Sequence, residues 1–539
     1  MFIRSKRSVQ NGAAYEYLQV VESFRDRGQP RQRVIATLGR RDVLVASGML
    51  DGLLRSLAKF SVKLRVVEAV RTQGLAARSS KGWGPALIFG RLWEQQGLPE
   101  IIGRLARGRK FGFDPERVGF ALALQRLCCP GSDLQGSGWV STVEAEGFER
   151  IALHHLYRAT AFLGEVREEL ERELFERDRD LFKQELDLVF LDTTSVFIYR
   201  RQETEWRKRG YSRDHRPDLP QLVLAVAVDR EGWPVSWEIF PGHTADQKAL
   251  EAMVSKMRQR FRIQRVIVVA DRGMISPKTL GVLSDHPKTP YGYILGCRMR
   301  KQKEVNEEVL GRAGRYRQVA ANLKVKEVRV QERRYIVCLN EEEARKDAAA
   351  RQALLERLQH ILEKRGPKSL VGNKGFSRYL KIDKGSARID DRAVEADERL
   401  DGKFVLRTNT ELSAEEVART YKSLWRVERT FREEKSTLEV RPIFHHRDET
   451  SMGHIVGSFL ALRLEVDLHK RVEEREMEVS WPDLMRDLSQ VQAVRVELDG
   501  RSYVLRTDLS GVAHQAFVAA GVRPPPTVTP LNELGAPTL

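Results

Sequence analysis

The chain has 539 residues and a mass of 61.7 kDa, with 41 % hydrophobic and 31 % charged residues, which excludes a disordered or fibrous protein and, at roughly 100–200 residues per domain, a single lobe. Its 92 Lys and Arg against 75 Asp and Glu give a formal charge of +17 and a pI near 9.7, so a polyanionic partner is expected. No run approaches the ~18 apolar residues of a membrane helix and the first residues lack a signal peptide's apolar core; Cys128, Cys129, Cys297 and Cys338 form no C-x-x-C pair or zinc-finger spacing, so the expectation is a cytoplasmic protein without membrane segment, disulfide framework or structural zinc.

The positive charge is concentrated at the start, where residues 1–110 hold 21 basic and 8 acidic side chains. Alternation over Tyr15–Glu22 and Arg33–Gly39 predicts short strands, and 1–84 reads as a basic, β-containing DNA-binding region. Helical spacing of Leu87, Ile88, Leu92, Leu153, Leu156 and Leu163 predicts a helical region over 85–184. Between 185 and 300 the pattern is strand (Leu186–Ile198), strand (Gln221–Val228), strand (Val235–Phe240), amphipathic helix (Thr244–Phe261), buried strand (Arg265–Ala270), short helix (Ser276–Asp285) and strand (Tyr291–Met299). Three strands followed by alternating helix and strand is the order of a ribonuclease H-like α/β core. A charged stretch, with strands Val325–Val330 and Tyr335–Leu339 and a helix Glu341–Lys364, reads as an insertion domain over 301–402. The core resumes over 403–470 with strand Lys403–Arg407 and a helix opened by the capping box Ser413-Ala-Glu-Glu416 and running to about Leu438. The remainder, 471–539, contains a helix start at Ser480, a hairpin turning at Asp499-Gly500 and a Pro-rich tail from Pro524.

Two aspartates stand where buried strands become exposed, Asp192 in Leu191-Asp-Thr-Thr194 and Asp271 in Val268-Val-Ala-Asp-Arg-Gly273. Either alone reads as a strand terminator or a cap. The inferred order makes their strands neighbours, so together they predict two carboxylates at one sheet edge. A third is Glu428. Tyr421, Glu428 and Lys435 are spaced by seven, a drift of only ~20° per step on a helix, so they line one stripe; the bland alternative is a solvated face with Glu428 paired to Arg432. The loop 199–217 carries Arg200, Arg201, Arg207, Lys208, Arg209, Arg213 and Arg216 among Tyr199, Trp206 and Tyr211, either a DNA-end contact or an ordinary charged hairpin. Trp425, His445 and His446 read as structural. No phosphate-binding G-x-x-x-x-G-K-[ST] occurs, so no nucleotide cofactor is expected.

These residues resemble the bacterial insertion-sequence transposases of the DDE type, in the group with a β-strand insertion before the catalytic glutamate and a Tyr-Arg-Glu-Lys signature on the last catalytic helix. Tyr421, Glu428 and Lys435 match the signature, and its arginine position falls on Leu424. Gly210-Tyr-Ser-Arg-Asp-His-Arg-Pro-Asp-Leu219, Phe240-Pro-Gly-His-Thr-Ala-Asp246 and Arg441-Pro-Ile-Phe-His445 also look like this family, over roughly 1–470. The resemblance implies cleavage of transposon ends and strand transfer into target DNA by one site. Asp192, Asp271 and Glu428 are then the catalytic residues and the ligands of two Mg²⁺ ions, with Mn²⁺ as an alternative, since hard cations take carboxylate oxygens. The partners implied are double-stranded DNA, as terminal inverted repeats and as target, and a second copy in a homodimeric DNA complex associated with the nucleoid. Expected DNA contacts are Tyr421, Arg432, Lys435, Arg207, Lys208 and Arg209. Arg432 replaces the missing signature arginine because it lies beside both Glu428 and Lys435, whereas Arg426 turns to the opposite face and Leu424→Arg should be tolerated. The rival functions are a DNA-binding protein without catalysis and a general metal-dependent nuclease.

Overall fold

Alternating, strand-favouring residues at the N-terminus form an antiparallel sheet of β1 (Phe2–Gln10), β2 (Ala13–Asp26) and β3 (Gln29–Arg40), in that order. The computed structural model describes residues 1–10, 13–26, 29–58, 60, 76–182, 187–261, 266–284, 291–365, 376, 378–383, 386–498 and 501–531. The expected turn at Asp499-Gly500 and the expected strand ends Leu186 and Arg265 lie outside these residues. Among them, no helix is long and apolar enough to cross a membrane.

A strand that the sequence pattern does not announce, β4 (Ala76–Gly82), pairs antiparallel with β16 (Gln492–Leu498), which is followed by β17 (Arg501–Arg506) and β18 (Val528–Pro530). Met1–Gly84, Asp487–Ala513 and Arg523–Leu539 thus form one unit, where separate regions over 1–84 and 471–539 were expected. The Ala-Ala-Arg-Ser-Ser-Lys-Gly run of β4 has no apolar alternation; its partner lies some four hundred residues away, beyond the reach of local pattern.

The second unit comprises Pro85–Arg486 and His514–Val522. Its first part is helical, with Leu98–Leu105, Pro115–Cys128, Asp133–Val140, Leu153–Glu165 and Arg167–Phe182. Asp114 caps the second of these by accepting the Glu116 and Arg117 amides, with Pro115 at the first helical position. Leu153–Glu165 packs on the helix Asp448–Glu473 through glycines: a Cβ on Gly453 would lie 1.7 Å from the Thr160 carbonyl oxygen.

The rest is a nine-stranded sheet. β5 (Leu188–Phe197), β6 (Gln221–Val228) and β7 (Pro234–Pro241) are antiparallel neighbours. The helix Asp246–Gln259 leads to β8 (Ile267–Ala270), which pairs parallel with the other edge of β5, and Pro277–Ser284 leads to β9 (Gly292–Gly296), parallel to β8. β6 is buried along its whole length, as an unbroken apolar strand between two neighbours should be. β10 (Arg317–Ala320), β11 (Leu323–Val330) and β12 (Arg333–Leu339) follow, then β13 (Leu380–Asp383), β14 (Ser386–Ile389) and β15 (Lys403–Thr408). The sheet order is β10-β11-β12-β15-β9-β8-β5-β6-β7. The stretch 301–402 is therefore not a separate body throughout. Its first three strands extend the main sheet beside β15, because the Tyr335–Cys338 run is apolar on both faces and needs cover. Only the helix Glu341–Arg365, the β13–β14 hairpin and the helix Asp391–Glu398 pack around their own cluster of Leu358, Phe376 and Tyr379.

Candidate active site

β5 is buried except at Asp192 and its last residue. In the parallel pairing of β5 with β8, Leu191 stands opposite Ala270, so Asp192, in the middle of β5, lies beside Asp271, the first residue after β8, where strands are ~4.8 Å apart. Asp192 Oδ1 accepts the Thr193 amide at 2.7 Å. Burial pushes the Asp192 carboxyl up to about 7, against the nearby Arg213 guanidinium and the Thr193 amide, while Asp271 and Asp246 add to the rise.

A third carboxylate joins this pair that the sequence did not single out. Asp246, the first residue of the helix Asp246–Gln259, accepts from the Thr193 hydroxyl at 2.7 Å and from Arg213 Nη2 at 2.9 Å. A Cβ on Gly273 would lie 3.3 Å from Asp246 Oδ2, so this carboxylate reaches towards the turn that carries Asp271. Its place at a helix start makes it look like a capping residue; the one available signal was its position in the Phe240–Asp246 motif.

Tyr421 donates from its hydroxyl to Asp271 Oδ1 at 2.8 Å, and burial, Asp271 and this bond push its phenol far up. Gly296 of β9 makes the approach feasible, since a Cβ there would lie 2.4 Å from the Tyr421 oxygen. Tyr421 sits on the helix Ala414–Lys422, opened by the expected Ser413/Glu416 capping box. The single helix expected as far as Leu438 is three pieces. After Lys422, Leu424 and Arg426 N–H groups bond three residues back, to Tyr421 and Ser423; a second helix covers Trp425–Arg432, and Glu433–Thr437 is a π-turn in which the Leu438 N–H reaches Glu433 O. A tight turn followed by a wide one rotates side chains off a straight α-helical stripe, so the seven-residue spacing does not keep Tyr421, Glu428 and Lys435 in line by itself.

Glu428 lies on the middle piece, which packs against β5. It is exposed, with no hydrogen bond or ion pair to either aspartate or to Arg432 among the described residues. Lys435 Nζ donates to Asp214 Oδ1 at 2.9 Å, and Arg441 Nη1 forms an ion pair with the same oxygen at 2.9 Å. The Asp214 side chain is 3 % exposed. Burial pulls the Lys435 ammonium down against the opposing pull of Asp214, so Lys435 is a clamp on the 210–219 loop.

A family model described as the transposase DDE domain matches residues 183–464, more than half of the chain. A second, described as the IS1634 family transposase N-terminal domain, matches residues 3–72. The chain is an insertion-sequence DDE transposase. No curated protein matches it. As a member of this family the transposase binds DNA, cleaves it and joins strands.

Several expected DNA contacts are engaged elsewhere in the transposase. Arg207, an expected DNA contact, is buried 2.7 Å from Asp448 Oδ1 and, held between two packed segments, cannot reach a phosphate. Lys208 lies 3.8 Å from Glu203, and Arg209 donates to Glu203, Asp218 O and Arg201 O, so these two brace the hairpin. Arg432 is exposed and without a partner among the described residues. Arg426 Nη1 donates to Glu231 O. Leu424 is 5 % exposed, which overturns the expected tolerance of Leu424→Arg. Trp425, expected as a core anchor, is half exposed beside the Arg426 guanidinium.

Asp133, His445 and His454 bring ligand-type atoms within 4.8 Å of one another, but they do not fit a cation. His454 Nδ1 lies 3.0 Å from Arg126 Nη2 and Nε2 lies 3.0 Å from Val440 O, so both ring nitrogens are used. The Thr160 hydroxyl holds Asp133 Oδ2. Burial and the adjacent guanidinium keep His454 well below the usual imidazole range.

Proposed function

We propose that this transposase cuts its transposon ends and joins them to target DNA at a two-metal site on a ribonuclease H-like core. The core comprises β5–β9, β15 and the segments 414–437, interrupted by the 301–402 stretch. The observation that carries the reading is the β5–β8 register, which sets Asp192 beside Asp271, with Tyr421 of the resumed segment bonded to Asp271.

The donor set fits hard divalent cations. It consists of carboxylate oxygens, and the Asp192 carboxyl is raised to about 7 chiefly by burial, with smaller contributions from Asp271 and Asp246, a penalty on its charged form that a bound cation would offset. Asp192 and Asp271, together with the exposed Glu428, would hold two Mg²⁺, or Mn²⁺. Such ions supply Lewis-acid stabilisation of the attacking and leaving oxygens of a phosphodiester. The chain's own contribution is orientation. The Thr193 amide fixes Asp192, the Tyr421 hydroxyl fixes Asp271, and the Asp214–Lys435 clamp holds the end of the segment bearing Glu428. Terminal inverted repeats and target DNA are the substrates, the basic 1–84 region binds the ends, and the transposase acts on them as a homodimer.

Asp192→Asn, Asp271→Asn and Glu428→Gln should each abolish Mg²⁺-dependent cutting of a labelled duplex carrying the element's ends and leave binding of that duplex within about threefold, because an amide of the same shape is a poor Mg²⁺ ligand. Substantial cutting by any one of them removes that residue from the site.

A further inference from the structure

The signature arginine is missing from this chain, and its position, Leu424, is buried. Most cations expected around the site are occupied: Lys435 and Arg441 by Asp214, Arg207 by Asp448, and Lys208 and Arg209 by Glu203. Arg213 differs from them. Its backbone amide is pinned by the Ser195 hydroxyl at 2.9 Å, and Nη2 donates to both Thr193 Oγ1 and Asp246 Oδ1 at 2.9 Å. Of the five N–H donors of a guanidinium, the one on Nε and the two on Nη1 have no partner among the described residues, and the side chain is 29 % exposed.

We propose that Arg213 grips the DNA phosphate at the cut, as a catalytic residue, and that Asp246 is its positioning residue. The inference rests on the reading of Asp192 and Asp271 as the catalytic pair. A guanidinium beside a half-buried carboxylate would ordinarily close onto it as an ion pair and occupy its oxygens. Asp246 prevents this closure. It takes Nη2 together with Thr193, the residue next to Asp192, so Arg213 stands beside Asp192, whose one hydrogen-bond donor among the described residues is the Thr193 amide. The remaining N–H groups are then presented to an anion held at the same carboxylates, and a planar, permanently charged fork suits a phosphate.

The test compares fluorescent duplexes carrying the element's end with either a normal phosphodiester or an uncharged methylphosphonate at the cut position, bound in Ca²⁺ by the full chain. The wild type should bind the methylphosphonate about tenfold more weakly, the scale of a charge-assisted hydrogen bond. Arg213→Gln should bind the normal duplex weaker by a similar factor and no longer distinguish the two. Asp246→Asn should lose the distinction in the wild-type background and add nothing to Arg213→Gln, an outcome that a merely structural role would not produce. Thermal melting checks that each variant is folded. Retained discrimination by Arg213→Gln overturns the proposal, as does loss of discrimination in Arg272→Gln instead, since Arg272 follows Asp271 and is exposed. Failure of the site reading itself is separate: it shows as cutting by Asp192→Asn in Mg²⁺.

Discussion

Tyr421→Phe measures how firmly the segment bearing Tyr421 is tied to Asp271. The substitution keeps the ring beside Phe404, at a centroid distance of 5.8 Å, and removes only the hydroxyl that donates to Asp271 at 2.8 Å. A hydrogen bond to a charged group contributes about 1.5–3 kcal/mol. Asp271 is only partly buried and can take a water in exchange, so the lower part of the range applies. The expected loss is about 1.5–2 kcal/mol in urea unfolding and, with Asp271 no longer held, a cleavage rate roughly 10–30-fold lower. Gly296 supplies the cross-check. Its replacement by Ala would set a Cβ 2.4 Å from the Tyr421 oxygen and 2.9 Å from the Arg272 amide nitrogen, an overpacking cost of about 1–3 kcal/mol. With Phe at 421 the worse of these clashes is gone, so Gly296→Ala should cost at least about 1 kcal/mol less than in the wild type. Unfolding curves of the two single variants and the double variant give this coupling directly. Additivity within about 0.5 kcal/mol, or wild-type cutting by Tyr421→Phe, would refute the tether.

Asp214→Ala leaves Lys435 and Arg441 without their shared, buried carboxylate, which should lower unfolding free energy by about 3–5 kcal/mol; an unchanged urea midpoint would contradict the clamp. Leu424→Arg places a charge at a site 5 % exposed and should melt at a clearly lower temperature and cut poorly, with a faster-cutting variant as the contrary result. Glu434 is buried with neither carboxyl oxygen hydrogen-bonded among the described residues, and burial pushes it up to about 8. The folded chain therefore holds a proton that the unfolded chain releases near pH 4.5, so stability falls as pH rises from there through 8, by up to roughly 5 kcal/mol. Glu434→Gln should flatten that slope in urea unfolding at several pH values, and an unchanged slope would count against it.

The parts of the fold legible in the sequence are those written in local pattern. Leu222–Val228 is apolar without a break and becomes a strand buried throughout; Ser413 and Glu416 announce a helix start and close the capping box. The neighbouring of the strands before Asp192 and Asp271 followed from connection rules and holds in the β5–β8 pairing. What escaped has no local trace. β4 is a polar run whose partner is β16, and β10–β12 look like an excursion in sequence but extend the main sheet in space. Residue type failed as a guide to the arginines of 199–217, because nothing local separates Arg207, buried on Asp448, from Arg213, which stands beside Asp192. The separation comes from acidic partners supplied by distant segments.

The direction of Glu428, the third carboxylate of the proposed site, depends on such partners too. On a continuous helix its direction would follow from Tyr421 and Lys435 by rotation alone. The chain departs from that geometry twice, in the tight turn at Leu424 and the π-turn from Glu433, so rotation no longer fixes it. Two other constraints act. Val427 and Phe431 are buried on the piece that packs against β5, which sets the face that Glu428 can present. The bonds of Tyr421 to Asp271 and of Lys435 to Asp214 hold the pieces on either side, which sets how far the middle piece can slide along β5. Both anchors are side-chain bonds to carboxylates of other segments, and neither uses Glu428 itself. Glu428 is exposed and makes no hydrogen bond or ion pair to Asp192, Asp271 or Arg432 among the described residues, so on the proposed reading its oxygens stay open to a cation. A helix made more regular across 422–438 would gain intrinsic stability and lose that aim.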